Sequence, residues 1–309
     1  MKISKGLVEQ HIHGAFGVDF MKCSVNELLY CSKKLVKYGV TAFFPTIMTD
    51  SLDIIKSRIN IVKEAMGKQE HTSAQIAGVH LEGPFINSMK AGIHPKEHIQ
   101  PLEIEKYQEI EDEIIKIITL APELDRNKNF VQYLKDSGVK LSLGHSICSD
   151  LGNMSQVTHL YNAMSAFLHR DSSNVVSALV DDNIYTELIG DSLHVNDNVL
   201  KITFRQKPIE RVLLISDALP FAHSDREMNE FAGQKIYRDG IRLVNDRGTL
   251  AGSAMLLADI VKNLVDKGIL TFDEAITAAS LNQLEYHNID NKLKVYWDDN
   301  NSIYNVEFI

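Results

Sequence analysis

Residues 78 to 85 read GVHLEGPF. The apolar lead-in from Ile76 to Leu81 has the length and composition of a buried strand, and Gly83-Pro84 ends it, because a strand interior does not accommodate that pair. Glu82 is therefore expected at a strand end. His80 and Glu82 are two residues apart, so both side chains leave a regular strand on the same face. Taken alone, such a carboxylate reads as solvated and such a histidine as a satisfied core residue. The company these residues keep elsewhere in the chain changes that reading.

Upstream, the apolar run 7–12 meets His11-Ile12-His13-Gly14, again two like-facing side chains at a strand end beside a glycine. Ser24 with Glu27 predicts a capped helix that Gly39 stops, and the strand 40–44 follows. Ile54, Ile55, Ile59, Val62 and Met66 repeat at helical spacing, and Gly67 is expected to end that helix. Downstream, strands are expected at 114–120, 139–143, 157–164, 184–189 and 212–215, with helical segments near 103–112, 127–137, 174–180 and 198–204. The link from His145-Ser146-Ile147 to Val157 has room for about three helical turns at most.

Eight strands with helices between most of them predict an α/β fold, a (β/α)8 barrel of the TIM type. After Asp217 the alternation breaks. Hairpin-like strands are expected between Ala222 and Val244, then a helix over 254–266 capped by Ser253 and another over 271–281 opened by Thr271 with Glu274. The runs 293–297 and 303–308 flank Asp298-Asp299-Asn300-Asn301 and read as a terminal hairpin. The expected organisation is a barrel over residues 6–285 and a small β appendage over 286–309.

At 309 residues, 44% hydrophobic and 24% charged, the chain buries a large core and is not disordered. A net charge of −9 without basic stripes argues against nucleic acid and against an anionic membrane surface. No window approaches the ~18 consecutive apolar residues of a membrane span and the N-terminus lacks a signal-peptide run, so a cytoplasmic location is expected. Cys23, Cys31 and Cys148 show no paired spacing and read as free thiols.

With these strands, His11, His13, Glu82, His145, His159, His194 and Asp217 all fall at C-terminal strand ends, the rim where barrel enzymes gather their catalytic groups. Imidazoles with one or two carboxylates are the ligand set of Zn²⁺ or Fe²⁺ sites that keep a position open. Glu82, His145 and His159 are the leading ligands. His11 and His13 face one way from their strand, and Glu82 has two oxygens to bridge a first ion to a second held by that pair and completed by Asp217, so one or two ions per chain are expected.

HIHG at 11–14, HLEGPF at 80–85, GHS at 144–146, THLYNAM at 158–164 and SDA at 216–218 are together similar to the N-acetylglucosamine-6-phosphate deacetylases of the amidohydrolase superfamily. The resemblance runs from about Gly6 to Leu281 with the motifs in the family's order. It implies removal of the acetyl group from an N-acetylated amino sugar phosphate, with Asp217 as the proton-transferring carboxylate and His194 steadying the oxyanion. By position it also implies that Ile93, His94, Asn162, Ala163, Arg170, His194, Leu250, Ala251 and Gly252 contact sugar or phosphate. It implies a homodimer in which Arg170 reaches a neighbour's substrate.

Three departures stand against the family pattern. Members usually begin with several dozen residues of strand that join the tail in a second β domain, so that domain is expected to be vestigial here. The connection before His159 is short, and Ser192 stands where glycine is common. The alternatives are an amidohydrolase for another N-acetyl sugar phosphate or a cyclic amide, a metal-dependent isomerase, and an inactive sugar-phosphate binder; retention of Asp217 weighs against the last.

Overall fold

The computed structural model describes residues 1–309. Eight parallel strands form the barrel: β1 (Leu7–Ile12), β2 (Val40–Met48), β3 (Val79–Glu82), β4 (Ile115–Leu120), β5 (Lys140–Leu143), β6 (Gln156–Val157), β7 (Tyr185–Ile189) and β8 (Val212–Ile215). Each pairs with the next in sequence order. The gap between β8 and β1 is bridged just beyond the strands, where Asp217 N–H donates to His11 O at 3.0 Å and His13 N–H to Ala218 O at 2.9 Å. The barrel is thereby nearly closed, and its first and last strands share one rim.

Every residue of β1 and β2 is buried, as expected of parallel strands covered on both faces. The surrounding helices follow their sequence signals. Ser24 and Glu27 form the capping box of Val25–Val36, which buries Leu28, Cys31 and Leu35, and Thr271 and Glu274 form that of Phe272–Ile276. A fully buried leucine of this kind contributes about 1.5–3 kcal/mol.

Several expectations are corrected. The lead-in to Glu82 breaks at Gly78, whose φ of +144° splits it into Gln75–Ile76 and β3. The strand expected over 157–164 is only the two residues of β6, because left-handed backbone at His159, Tyr161 and Ala163 turns the chain out of the ladder. No helix forms in the short connection before β6. Leu52–Lys68 runs through Gly67, which meets no packing constraint.

Ser253 does not cap the next helix. That helix is Leu257–Asp266, entered at Leu256, whose N–H donates to Asp259, while Ser253 bridges to Ala218 beside the rim. The helix from Thr271 passes through a π turn at Thr277–Leu281 before Asn282–His287. Leu293–Trp297 and Ile303–Phe308 pair as the tail hairpin, joined by Lys2–Lys5 as a third antiparallel strand. Trp297, fully buried, donates from Nε1 to Ser4 Oγ at 2.9 Å.

A three-stranded antiparallel sheet, Met228–Phe231, Gln234–Asp239 and Arg242–Asn245, stands over the rim. Phe231, Ile236 and Leu243 pack under it against Phe221, Leu219 and Ala251, which fixes the segment 250–252 at the barrel mouth. No helix is long and apolar enough to cross a membrane.

Candidate active site and metal centre

His145, His159 and Asp217 follow strand ends and all have left-handed backbone, with φ of 48°, 30° and 51°. Each such non-glycine residue costs about 1–2 kcal/mol and persists because its surroundings fix it. Asp217, for example, is tied by its N–H to His11 O and by its own carbonyl to Ser253 N–H. The bends aim three side chains over the mouth.

Glu82 lies at the centre. Its Oε1 is 3.0 Å from His159 Nε2 and 3.2 Å from His145 Nε2. The second set closes around its other side: His13 Nε2 is 3.3 Å from Glu82 Oε2 and 3.2 Å from Asp217 Oδ1, and His11 Nε2 is 3.6 Å from the same Asp217 oxygen. His145 donates from Nδ1 to Lys90 O at 2.7 Å, which leaves Nε2 as a lone pair. His11 Nε2 is buried with no hydrogen-bond partner.

These donors fit a divalent cation. Ligands about 2.0–2.1 Å from a tetrahedral ion stand roughly 3.3–3.4 Å from one another; the 3.0–3.2 Å within the Glu82, His145 and His159 set falls slightly inside that value, and the 3.2 and 3.6 Å from Asp217 to His13 and His11 lie on either side of it. Burial opposes charge on Glu82, and the imidazoles gathered around it more than offset that, so its carboxyl is held well below the usual range. Asp217 is likewise opposed by burial and brought down to about 2, chiefly by the His13 hydrogen bond. His80 lies deeper and is satisfied: Nδ1 meets Gln10 O at 3.0 Å and Nε2 meets Thr119 Oγ1 at 2.8 Å.

A cavity of about 400 Å³ opens over this cluster. Its walls include Ile93, His94, Asn162, Ala163 and His194, and the turn Leu250, Ala251 and Gly252. His194 donates from Nδ1 to Asp191 Oδ2 at 2.7 Å, and Asp191 Oδ1 accepts the N–H groups of Leu193 and His194. Burial lowers the His194 pKa, and the hydrogen bond and charge of Asp191 more than offset it, so the net shift is upward. Ser192 takes the left-handed conformation, φ 66°, that a glycine there would adopt freely.

Some expected residues sit differently. His94 is close to the metal cluster, with Nε2 3.4 Å from Glu82 Oε2 and Nδ1 2.8 Å from Thr49 Oγ1. Asn162 and Ala163 lie on the cavity wall, but the Asn162 N–H is not free for a ligand, because it donates to His159 O at 3.0 Å. Arg170 is exposed and does not line the cavity. Lys90 does line it, as its one lysine or arginine, and the sequence reading passed over it. Asp191 was overlooked too, although its place three residues before His194 is a signal for an orienting carboxylate.

No family model matches the chain. It is 34% identical over 271 residues to N-acetylglucosamine-6-phosphate deacetylase of Bacillus subtilis, covering 84% of this chain and 68% of that one. It is 33% identical over 301 residues to the same enzyme of Lysinibacillus sphaericus, covering 93% and 76%. The chain belongs to the N-acetylglucosamine-6-phosphate deacetylase family. The crystal structure of the Thermotoga maritima deacetylase superposes with a TM-score of 0.91 at 25% identity, over 99% of this chain and 87% of that one. The barrel is thus the amidohydrolase barrel of the deacetylases, and the chain is a deacetylase with candidate sites for divalent metal at its mouth.

Proposed function

We propose that the chain hydrolyses N-acetylglucosamine 6-phosphate to glucosamine 6-phosphate and acetate. The observation that carries this is Asp217, whose side chain is 14% exposed to the cavity while that of Glu82 is 4% exposed. Of the two central carboxylates, Asp217 is the one a substrate can meet. Glu82, His145 and His159 would hold one ion, zinc or iron, and His11, His13 and Asp217 a second. A divalent cation there acidifies water and withdraws charge from a carbonyl oxygen.

Asp217, held ionised, accepts a proton from the water that attacks the acetyl carbonyl carbon. The carbon–oxygen bond forms, and the developing oxyanion meets His194, whose Asp191 contact leaves Nε2 as the nitrogen free for it. Asp217 then returns the proton to the amine nitrogen as the carbon–nitrogen bond breaks, because an unprotonated amine is too basic to leave. Ile93, His94 and the turn 250–252 bound the sugar. Lys90 and the Ala163 N–H supply local positive potential for the phosphate in a chain of net charge −9.

The barrel spans residues 6–285, and 286–309 with Lys2–Lys5 form the appended sheet. The assembly is a cytoplasmic homodimer, supported by the exposed loop carrying Phe167, Leu168 and Arg170 and by three free cysteines. The deciding experiment measures acetate release from N-acetylglucosamine 6-phosphate and from epimeric N-acetyl sugar phosphates. No acetate from any of them, with the sugar still bound, defeats the hydrolase reading in favour of a binder.

A further inference from the structure

Glu187, on β7, is a fully buried carboxylate that the chemistry above does not use. Four N–H groups converge on it. Oε1 accepts from Gln10 Nε2 at 2.6 Å and Gln156 Nε2 at 3.1 Å; Oε2 accepts from His11 Nδ1 at 3.0 Å and the His159 backbone N–H at 3.3 Å. An ionised carboxylate offers about four lone-pair sites and no donor, so it satisfies all four partners at once. A glutamine there has to turn its NH₂ toward one pair of donors or the other.

Two of those partners belong to the two different ligand sets. His11 contributes to the pair with His13 and Asp217, and His159 to the triad with Glu82 and His145. Glu187 also groups spatially with His11 and His80, but both His80 nitrogens and all four acceptor sites of Glu187 are engaged, so that cluster keeps no bare lone pair for an ion of its own. The hydrogen-bonded chain continues from Glu187 through Gln10 to His287 Nε2 at 2.8 Å, which anchors it away from the mouth.

We propose that Glu187 is a positioning residue that holds His11 as the Nδ1–H tautomer, with its Nε2 lone pair directed at the Asp217 side, and couples that orientation to the backbone carrying His159. The buried, partnerless Nε2 of His11 is the direct consequence. The inference rests on the cation reading of the previous subsection. It assigns to an apolar-run residue on a distant strand the control of affinity at the second ion. The identity of the ion does not enter the argument.

The test reconstitutes the full chain with zinc, removes loose metal by dialysis, and measures zinc content and stepwise affinity. Wild type is expected to hold two ions, and Glu187→Gln to lose affinity for the second by about 10- to 100-fold, the usual effect of removing such a partner, with the first retained. Gln156→Met, which removes a different bond to the same carboxylate, is expected to keep both. Unchanged second-ion affinity in Glu187→Gln, or an equal loss in Gln156→Met, overturns the proposal. Imidazole NMR of zinc-loaded wild type decides it without a variant: coordination of His11 through Nε2 with a proton on Nδ1 supports it, and coordination through Nδ1 overturns it. A wild type that takes one ion but releases acetate removes this inference alone; one that takes none, or releases no acetate, defeats the earlier reading.

Discussion

The Nε2 atoms of His145 and His159 face each other at 3.1 Å. With His145 Nδ1 donating to Lys90 O, its Nε2 is a lone pair, and Glu82 Oε1 sits beside both nitrogens. His159 Nδ1 has no hydrogen-bond partner and can carry the ring proton, which lets Nε2 serve as a third ligand atom, so a cation bound here is held by three groups that only the folded chain brings together.

Chelation should therefore destabilise the fold. An ion at 100-fold its Kd adds about 2.7 kcal/mol to the native state. Equilibrium unfolding after exhaustive dialysis against a chelator should show a loss of that order, restored by zinc. Identical unfolding curves with and without metal would separate this cluster from cation binding.

Asp217→Asn should lower kcat by about 10²-fold or more, since the amide keeps the shape but moves no proton. The ion at Glu82, His145 and His159 should remain, and substrate affinity should change little. Retention of more than a few per cent of wild-type kcat takes Asp217 out of the proton-transfer role.

The rim was legible because the apolar strand runs end in turns just where His11, His13, Glu82 and Asp217 stand. What was illegible has physical causes. Lys2–Lys5 carries a single apolar residue, so its pairing with Leu293–Trp297 leaves no hydrophobic signature. The apolar run through Leu160 and Met164 reads as strand, but its φ values are positive at alternate residues. Glu187 is hidden in the run that forms β7 because its partner Gln10 is 177 residues away. Asn162 has the right place on the cavity wall, yet which N–H stays free depends on a local turn that spacing does not encode.

Asp191→Asn should move the alkaline limb of the kcat/KM profile to lower pH. Burial lowers the His194 pKa and Asp191 raises it by more, so without the carboxylate the imidazolium is lost sooner. The same sign governs stability: with the folded pKa above the unfolded value of about 6.5, the pair stabilises fully below that pH and less as pH rises through the folded value. An unshifted limb, or a stability loss in the variant that is the same at pH 6 and pH 9, contradicts this coupling.

Lys90 lines the cavity, with Nζ donating to Met164 O at 2.6 Å and its carbonyl holding His145. Lys90→Gln keeps the backbone contact and removes the charge. KM for the phosphorylated sugar should rise about 10-fold or more, as expected for a charge-assisted contact worth 1.5–3 kcal/mol, with little change for N-acetylglucosamine itself. A parallel rise for both sugars would assign Lys90 to positioning His145 instead of reading phosphate.

Arg170 presents the opposite case, a cation implied at the phosphate that the single chain leaves in solvent. Its loop also exposes Phe167 and Leu168, 60% and 51% accessible, next to the Asn162-Ala163 turn. Two large apolar side chains beside an unpaired guanidinium suit a second copy, which would cover the apolar pair and carry Arg170 to the neighbouring cavity, where its planar donors fork onto phosphate. The expected result is a dimer by sedimentation, in which Arg170→Ala raises KM for the phosphorylated sugar selectively while Phe167→Asp with Leu168→Asp yields monomers showing the same kinetic defect. Mixing Arg170→Ala with a second variant lacking Asp217 should partly restore activity, because one of the two sites in the mixed dimer then has both groups. Fully active monomers, or no gain on mixing, would leave Arg170 outside the active site.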